Sequence, residues 1–412
     1  VLINSWEASY FNFSTKSLLK LAKEAAEQGI ELFVLDDGWF GKRESDNSSL
    51  GDWFVNTEKL PGGLEYLSEQ IHALGMKFGL WIEPEMISPD SDLYRAHPDW
   101  TLGIPEREKK LSRNQFVLDI TRKEVREYLY DKIGSILKKI PIEYVKWDMN
   151  RPLTDIGSLA FPPERQGELY HRYVLALYEM QERFVTEFPS ILLENCSGGG
   201  GRFDPGMLYY SPQIWCSDDT DAIERLSIQE GTAMVYPLSC IGAHVSVCPN
   251  HIVGRNTPFM TRGYVALAGT FGYELDIAKL SAEEKKLIPE QISLYNRYGD
   301  LVRSGDYYRL ASFKDSGSWD SWEIVSKDKT KALITVVQVL NRANVKRRNL
   351  KVEGLCPNSL YTLKGEGALS DFCNKVFADK LISGATLMNA GILIPPFWGD
   401  FQSGLLYLET NT

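Results

Sequence analysis

Over roughly the first 270 residues, short apolar runs alternate with longer stretches of helical periodicity. The apolar runs fall at 1–6 (VLINSW), 31–37 (ELFVLDD), 76–83 (MKFGLWIE), 116–120 (FVLDI), 143–148 (EYVKWD), 191–196 (ILLENC), 213–218 (QIWCSD) and 240–246 (CIGAHVS), and each predicts a strand. Helices are predicted between them. Residues 15–28 open on Ser14 and Thr15 as caps and close at Gly29, and residues 62–74 close at Gly75. Residues 122–138 and 165–188 are amphipathic, and 221–232 follow a cluster of Asp and Thr caps. Repeated strand–helix alternation predicts an α/β fold, a closed (β/α)8 TIM barrel, with an open doubly wound sheet as the alternative. Residues 257–303 have helical texture and are expected to close the barrel. Past residue 318 the texture changes to short alternating runs (WEIVS, KALITVVQVL, YTLKG, GILIP, GLLYLE) between turn residues. They predict a small C-terminal all-β sandwich domain. The expected division is a catalytic barrel with closing helices over 1–317 and a β-sandwich domain over 318–412.

Composition narrows the class. The 412 residues are 43% hydrophobic and 24% charged, which excludes a largely disordered chain. The net charge of −10 argues against nucleic acid or an anionic membrane as partner. No run of about 18 apolar residues occurs, so no membrane-spanning helix is expected. Cys196, Cys216, Cys240, Cys248, Cys356 and Cys373 form no CxxC pair, and free thiols in a reducing, cytoplasmic setting are expected. Five His residues without an HExxH pair give no basis for a zinc site.

In such a barrel the chemistry collects where the strands end. Those ends carry Trp6; Asp36, Asp37 and Trp39; Trp81, Glu83 and Glu85; Asp119, preceded by Arg113; Lys146, Asp148 and Asn150; Glu194 to Cys196, followed by Ser197 and four glycines; Asp218 and Asp219; and His244. Buried carboxylates are costly unless paired, so a purely structural barrel has little reason to place acids at nearly every strand end. Two carboxylates can serve as acid and nucleophile on a glycosidic bond, further Asp side chains can bind hydroxyls, and Trp can cover the apolar face of a sugar ring.

Individual residues carry narrower expectations. Lys146 and Asp148 lie two apart on one strand and share a face, so the ammonium is expected to keep Asp148 ionised as a nucleophile; the alternative is a plain ion pair at the barrel mouth. Asp218 ends a strand across the mouth and suits a general acid, whereas Asp219, Thr220 or Asp221 suits the cap of the next helix. Asp36 and Asp37 occupy alternate faces, so one of them is free to face a loop or helix partner. The Gly198–Gly201 run lacks the Lys-Ser/Thr of a nucleotide P-loop, and a turn that lets a sugar approach the backbone is expected. Cys196 is either an inert buried thiol or a sugar contact, while His244, His251, Glu83 and Glu85 read as structural.

Seven ordered motifs now carry a resemblance: NSWEA at 4–8, LDDGWF at 35–40, GLWIEPEM at 79–86, YVKWDMNR at 144–151, LENCSGGGGRFD at 193–204, WCSDDTDAIERL at 215–226 and GAHVSVCPNH at 242–251. The chain resembles the bacterial α-galactosidases (melibiase/raffinose-hydrolysing type) of glycoside hydrolase family 36 over the whole barrel, and the C-terminal β domain fits. The resemblance implies retaining hydrolysis of terminal α-1,6-linked galactose from melibiose and raffinose-family oligosaccharides through a covalent galactosyl-enzyme. It implies Asp148 of the KWD motif as nucleophile and Asp218 as acid/base. Galactose recognition falls, by the same likeness, on Asp36, Asp37, Trp81, Arg113, Lys146, Asn150, Cys196 and Gly198, with Trp6 and Trp215 lining the pocket. No metal or nucleotide cofactor is implied, and the intact protein is expected to be a homo-oligomer, a tetramer by resemblance.

Full-length members of that family carry a large β-sandwich domain before the barrel, and in tetrameric members it lends loops to a neighbouring site. This chain begins at VLINSW without Met and is expected to be a fragment or processed product lacking that domain. Three other readings use the same residues: a galactosyltransferase of the raffinose-synthase type, an α-N-acetylgalactosaminidase, and an inactive sugar-binding fragment. By resemblance, the Cys196-Ser197-Gly198 segment favours an unsubstituted sugar 2-hydroxyl.

Overall fold

The computed structural model describes residues 1–344 and 348–410. Eight parallel strands close into a barrel: β1 (Leu2–Asn4), β2 (Leu32–Leu35), β3 (Lys77–Ile82), β4 (Tyr144–Trp147), β5 (Leu192–Asn195), β6 (Gln213–Trp215), β7 (Ile241–Ser246) and β8 (Thr270–Glu274). Neighbours around the ring follow chain order. The expected architecture is present, but one of the expected strands is not in it. Residues 116–120 contribute a two-residue ladder, Phe116–Val117 antiparallel to Met86–Ile87, and an isolated bridge from Leu118 to Thr101, all outside the barrel. The eighth barrel strand lies inside 257–303, where helix Phe259–Ala266 stops, β8 follows, and helix Ala282–Ser304 begins. Residues 270–274 (TFGYE) alternate aromatic with glycine and acid and are flanked by helical periodicity, so FVLDI is the stronger local strand signal.

The helices fall close to their expected bounds, at Thr15–Glu27, Gly63–Ala73, Lys123–Lys139, Leu169–Glu187 and Ala222–Ala233. Ser14 caps the first in a reciprocal box, accepting from the Ser17 N–H at 3.3 Å while Ser17 Oγ accepts from the Ser14 N–H at 2.9 Å.

Two compact units partition the chain. One holds Leu2–Asp218 and Glu274–Lys279, with Phe33, Leu35, Trp39, Phe40 and Phe78 in its dry interior. The other holds Asp219–Tyr273 and the chain from Leu280 on, together with Val1. In this second unit an antiparallel sheet runs in the order Asp306–Ala311, Trp319–Val325, Lys331–Gln338, Gln402–Thr410, Leu360–Gly367, Ile382–Ser383. Its buried face carries Ile334, Val336, Leu406 and Leu408, clustered with Leu350, Ile392 and Ile394 of the ladder Arg348–Leu350/Ile392–Ile394. Each fully buried side chain of this kind contributes about 1.5–3 kcal/mol. Helices Ser370–Val376 and Gly384–Asn389 interrupt what was expected to be all β. The first strand of the sheet precedes the expected division at 317/318, and helix Phe259–Ala266 bonds to the last strand region through Thr261 Oγ1, which donates to the Phe401 carbonyl at 2.8 Å.

Strand Trp319–Val325 buries two carboxyls. Loss of water pushes Asp320 up to about 7 and Glu323 up to about 8, opposed by one backbone N–H each, from Phe313 and Glu353. A glutamate is half-protonated near pH 4.3 when unfolded, so folded Glu323 holds its proton over a window in which the unfolded chain has lost it. Its contribution to stability is therefore present at low pH and disappears as pH rises toward about 8. Glu323→Gln is expected to flatten the decline of the unfolding midpoint between about pH 5 and 8. Parallel declines in both proteins would contradict a protonated Glu323.

Candidate active site

Trp6, Asp36, Asp37, Trp81, Arg113, Lys146, Asp148, Asn150, Cys196, Gly198, Trp215 and Asp218 all lie in one unit, at or beyond the ends of β1 to β6, whereas His244 lies on β7 in the other. Backbone pairing continues past the strands: Asp148 N–H donates to Ile82 O and Cys196 N–H to Trp147 O, both at 2.8 Å. Asp148 is 5% exposed and its carboxylate accepts three N–H donors. Met149 N–H meets Oδ1 at 2.7 Å, while Asn150 Nδ2 and Trp81 Nε1 meet Oδ2 at 2.8 and 3.1 Å. Arg113 Nη1 donates in turn to Asn150 Oδ1 at 2.8 Å. These bonds fix the rotamer of the carboxylate.

Lys146 does not pair with Asp148 as the strand spacing suggested. Its Nζ donates to Asp36 Oδ2 at 3.0 Å, with both side chains buried. Sharing a strand face is not enough, because Asp148 lies beyond the end of β4 and is turned to its amide donors, while the long lysine reaches the acid after β2. Asn4 Nδ2 joins the same Asp36 oxygen at 2.7 Å, and Asp37 N–H meets Oδ1 at 2.9 Å. Burial alone would lower the Lys146 pKa, but the charges of Asp36, Glu274 and Glu194 outweigh it and keep the ammonium charged. The Nζ lies 5.7 Å from the centroid of the buried Trp215 ring. Asp37 faces a loop partner: Arg43 Nε and Nη2 engage its two oxygens at 2.6 and 2.8 Å. The half-buried Trp6 is tied in through its backbone N–H, which donates to Asn4 Oδ1 at 2.8 Å.

Asp218 has a different environment. Its side chain is open at the mouth, yet desolvation on the protein side and the Asp148 charge push its carboxyl up to about 6, against Lys146 and Arg113. The fully buried Cys196 has its Sγ 4.0 Å from Asp218 Oδ1. Burial and the charges of Asp148 and Asp218 hold it well above the ordinary thiol range. Helix capping falls to Asp221, whose Oδ1 accepts from Ile223 and Glu224 N–H at 3.0 Å.

The glycine run serves the protein backbone more than a ligand. A Cβ on Gly199, at φ +84°, would lie 2.6 Å from Ser217 Cα and 2.7 Å from Asp218 N. One on Gly200 would lie 2.6 Å from Cys216 O. The loop after β5 thus lies directly on the segment that carries Asp218. Only Gly198, with nothing nearer than Asn150 Oδ1 at 4.0 Å, leaves the open room that sugar approach requires.

Five participants were not singled out as site residues in the sequence. Asn4, Arg43 and Gln115 are polar side chains of ordinary type in unremarkable context. Glu274 raises Asp36 and Asp218 electrostatically, and was hidden because its strand was taken for helix. Glu83 was read as structural, but its Oε1 accepts from Asn150 N–H at 2.5 Å and Gln115 Nε2 at 2.8 Å, beside the nucleophile candidate. Glu85 fits the structural reading: it accepts from Trp147 Nε1 at 3.0 Å, the Tyr173 hydroxyl at 2.9 Å and Arg202 Nη1 at 2.9 Å. Among the described residues no group of three or more His, Cys, Asp or Glu is arranged to hold a metal ion, and no helix is long and apolar enough to cross a membrane.

Residues 1–305 match the melibiase family, and residues 319–408 match the glycosyl hydrolase family 36 C-terminal domain. The chain is 51% identical over 409 residues to alpha-galactosidase AgaA of Geobacillus stearothermophilus, covering 99% of this chain and 54% of that protein. It is 45% identical over its full length to alpha-galactosidase 1 of Pediococcus pentosaceus, again covering 54% of the relative. The chain therefore spans about half the length of the curated relatives it matches. The crystal structure of AgaA superposes with a TM-score of 0.94 at 50% identity, covering 100% of this chain and 55% of that one. A double variant of AgaA in complex with raffinose superposes equally well, with a TM-score of 0.94 at 49% identity. With its barrel and C-terminal sheet both accounted for, the chain belongs to the melibiases of glycosyl hydrolase family 36.

Proposed function

We propose that this chain is the catalytic portion of a retaining α-galactosidase, releasing terminal α-1,6-linked galactose from melibiose and raffinose-family oligosaccharides. The observation that carries the reading is the contrast between two carboxyls: Asp148, buried under three N–H donors, and Asp218, open at the mouth and pushed up to about 6. The carboxylate held by three N–H donors is assigned as the attacking group, and the carboxyl pushed up to about 6 as the proton donor. Asp148 attacks the anomeric carbon as the bond to the leaving oxygen breaks, and Asp218 gives that oxygen its proton. Asp218, now a carboxylate, takes a proton from the water that attacks the same carbon and releases Asp148. Lys146, Asp36, Asp37, Arg113, Asn150, Cys196 and Gly198 are assigned to galactose, with Trp6, Trp81 and Trp215 as walls. Relatives named alpha-galactosidase, and AgaA variants complexed with raffinose and with stachyose, support this substrate class over the transferase and N-acetylgalactosaminidase alternatives.

The same reading takes 1–317 as the catalytic barrel and 318–412 as the C-terminal β domain. It takes the intact protein as a cytoplasmic homo-oligomer.

Asp148→Asn is expected to lower kcat on an aryl α-galactoside by about 10⁴-fold or more while galactose still raises the unfolding temperature. Near-normal turnover would remove Asp148 from its role. Asp218→Asn is expected to cost far more on melibiose than on an activated aryl galactoside, because only the poor leaving group needs the proton. An acid works below its pKa, so kcat/KM on melibiose is expected to fall above about pH 6, and this limb should vanish in Asp218→Asn. Equal losses on both substrates would contradict the acid role.

A further inference from the structure

The reaction as derived makes no use of Glu83, although its carboxyl is bonded to the residue that clamps the nucleophile. Glu83 follows β3 directly and is 1% exposed. Its Oε1 accepts the Asn150 N–H at 2.5 Å and the Gln115 amide at 2.8 Å. Gln115 is itself 2% exposed, with its carbonyl held by Arg151 Nη1 at 2.8 Å, so this second donor is fixed from behind. Asn150 is thereby held at three points. Its backbone meets Glu83, its Oδ1 meets Arg113 at 2.8 Å, and its Nδ2 meets Asp148 at 2.8 Å. The nearby Arg43 commits Nε and Nη2 to Asp37 and Nη1 to the Ser48 carbonyl, so the partners of Glu83 are the neutral N–H donors of Asn150 and Gln115.

We propose that Glu83 is a positioning residue for the nucleophile: by fixing the Asn150 backbone it sets where the Asn150 amide holds Asp148. Its catalytic consequence rests on the galactosidase reading above. Glu83 does this work as an uncharged acid. The charged groups facing it are Asp148 from beyond β4 and Asp37 and Arg43 from the segment after β2, with Gln115 as the neutral donor. Loss of water and the Asp148 charge push Glu83 up to about 8, with Asp37 adding and Arg43 and Gln115 opposing. Below that pH the proton stays on Glu83, so no second charge sits behind the clamp on Asp148. When Asp148 becomes a glycosyl ester its charge disappears, and the hold on the Glu83 proton weakens accordingly.

Two measurements test this, one of them independent of turnover. Infrared difference spectra between the parent chain and Glu83→Gln are expected to show a protonated-carboxyl stretch at neutral pH that is lost near pH 8. With Asp148→Asn in both proteins, the loss is expected at lower pH. Absence of the band, or indifference to Asp148→Asn, overturns the coupling. In kinetics, Glu83→Ala is expected to lower kcat on an activated aryl α-galactoside by about 10²-fold with KM within about threefold, and Glu83→Gln to recover about tenfold or more of that loss. In the Asp218→Asn background, which removes the limb near pH 6, kcat/KM for the same substrate is expected to fall near pH 8. That fall should disappear when Glu83→Gln is added. Equal damage from Ala and Gln, or a limb that survives Gln, overturns the proposal. A chain that turned over no galactoside at all would count against the function, and the infrared result alone would then decide the case for Glu83.

Discussion

The mouth of the barrel depends on one buried cation, the Lys146 ammonium, set against Asp36 at 3.0 Å. Asp36, Glu194 and Glu274 all act on it, and it opposes in return the burial that raises Asp36 and Asp218. Carboxylates crowded into a dry site repel one another and lose hydration, so without a charge of opposite sign their protons would be retained. Removing one partner of such a buried pair costs about 3–5 kcal/mol, because the survivor is left charged and unpaired. Asn4 Nδ2 shares the same Asp36 oxygen, so the pair is also tied to β1.

Around that pair the two carboxyls of the proposed reaction are held by unlike means. Asp148 is fixed by short local donors, from its own neighbours Met149 and Asn150 and from Trp81. Asp218 rides on backbone that the glycine loop presses against, and its side chain stays open toward solvent. A nucleophile gains from a fixed, ionised oxygen. A proton donor must reach a leaving group and later a water, which an exposed side chain with a raised pKa permits.

Most of the barrel was legible because strand–helix alternation is a local signal, and so were the capped helices Thr15–Glu27 and Ala222–Ala233. The exchange of 116–120 for β8 had a physical cause. A strand closing a barrel is selected by its two neighbours, and Thr270–Glu274 carries little apolar alternation of its own. The acids at strand ends could be named from sequence, but their partners could not. Whether Lys146 turns to Asp148 or Asp36 depends on side chains 110 residues apart, and the Arg43–Asp37 and Glu83–Asn150 bonds depend on loop geometry. The glycines after Cys196 were visible as a run, while the backbone they approach, at Cys216 to Asp218, is set only by the packed loop.

The central claim is that Asp148 bonds covalently to the sugar, and mass spectrometry tests it most directly. The chain would be incubated with a fluorinated α-galactosyl fluoride, whose glycosyl-enzyme hydrolyses slowly, quenched in acid and digested. One galactosyl adduct on the peptide bearing Lys146, Trp147 and Asp148 is predicted, absent in Asp148→Asn. An adduct on another carboxylate, or fluoride release with no adduct and the fluorinated sugar first released as its β-anomer, would contradict the account.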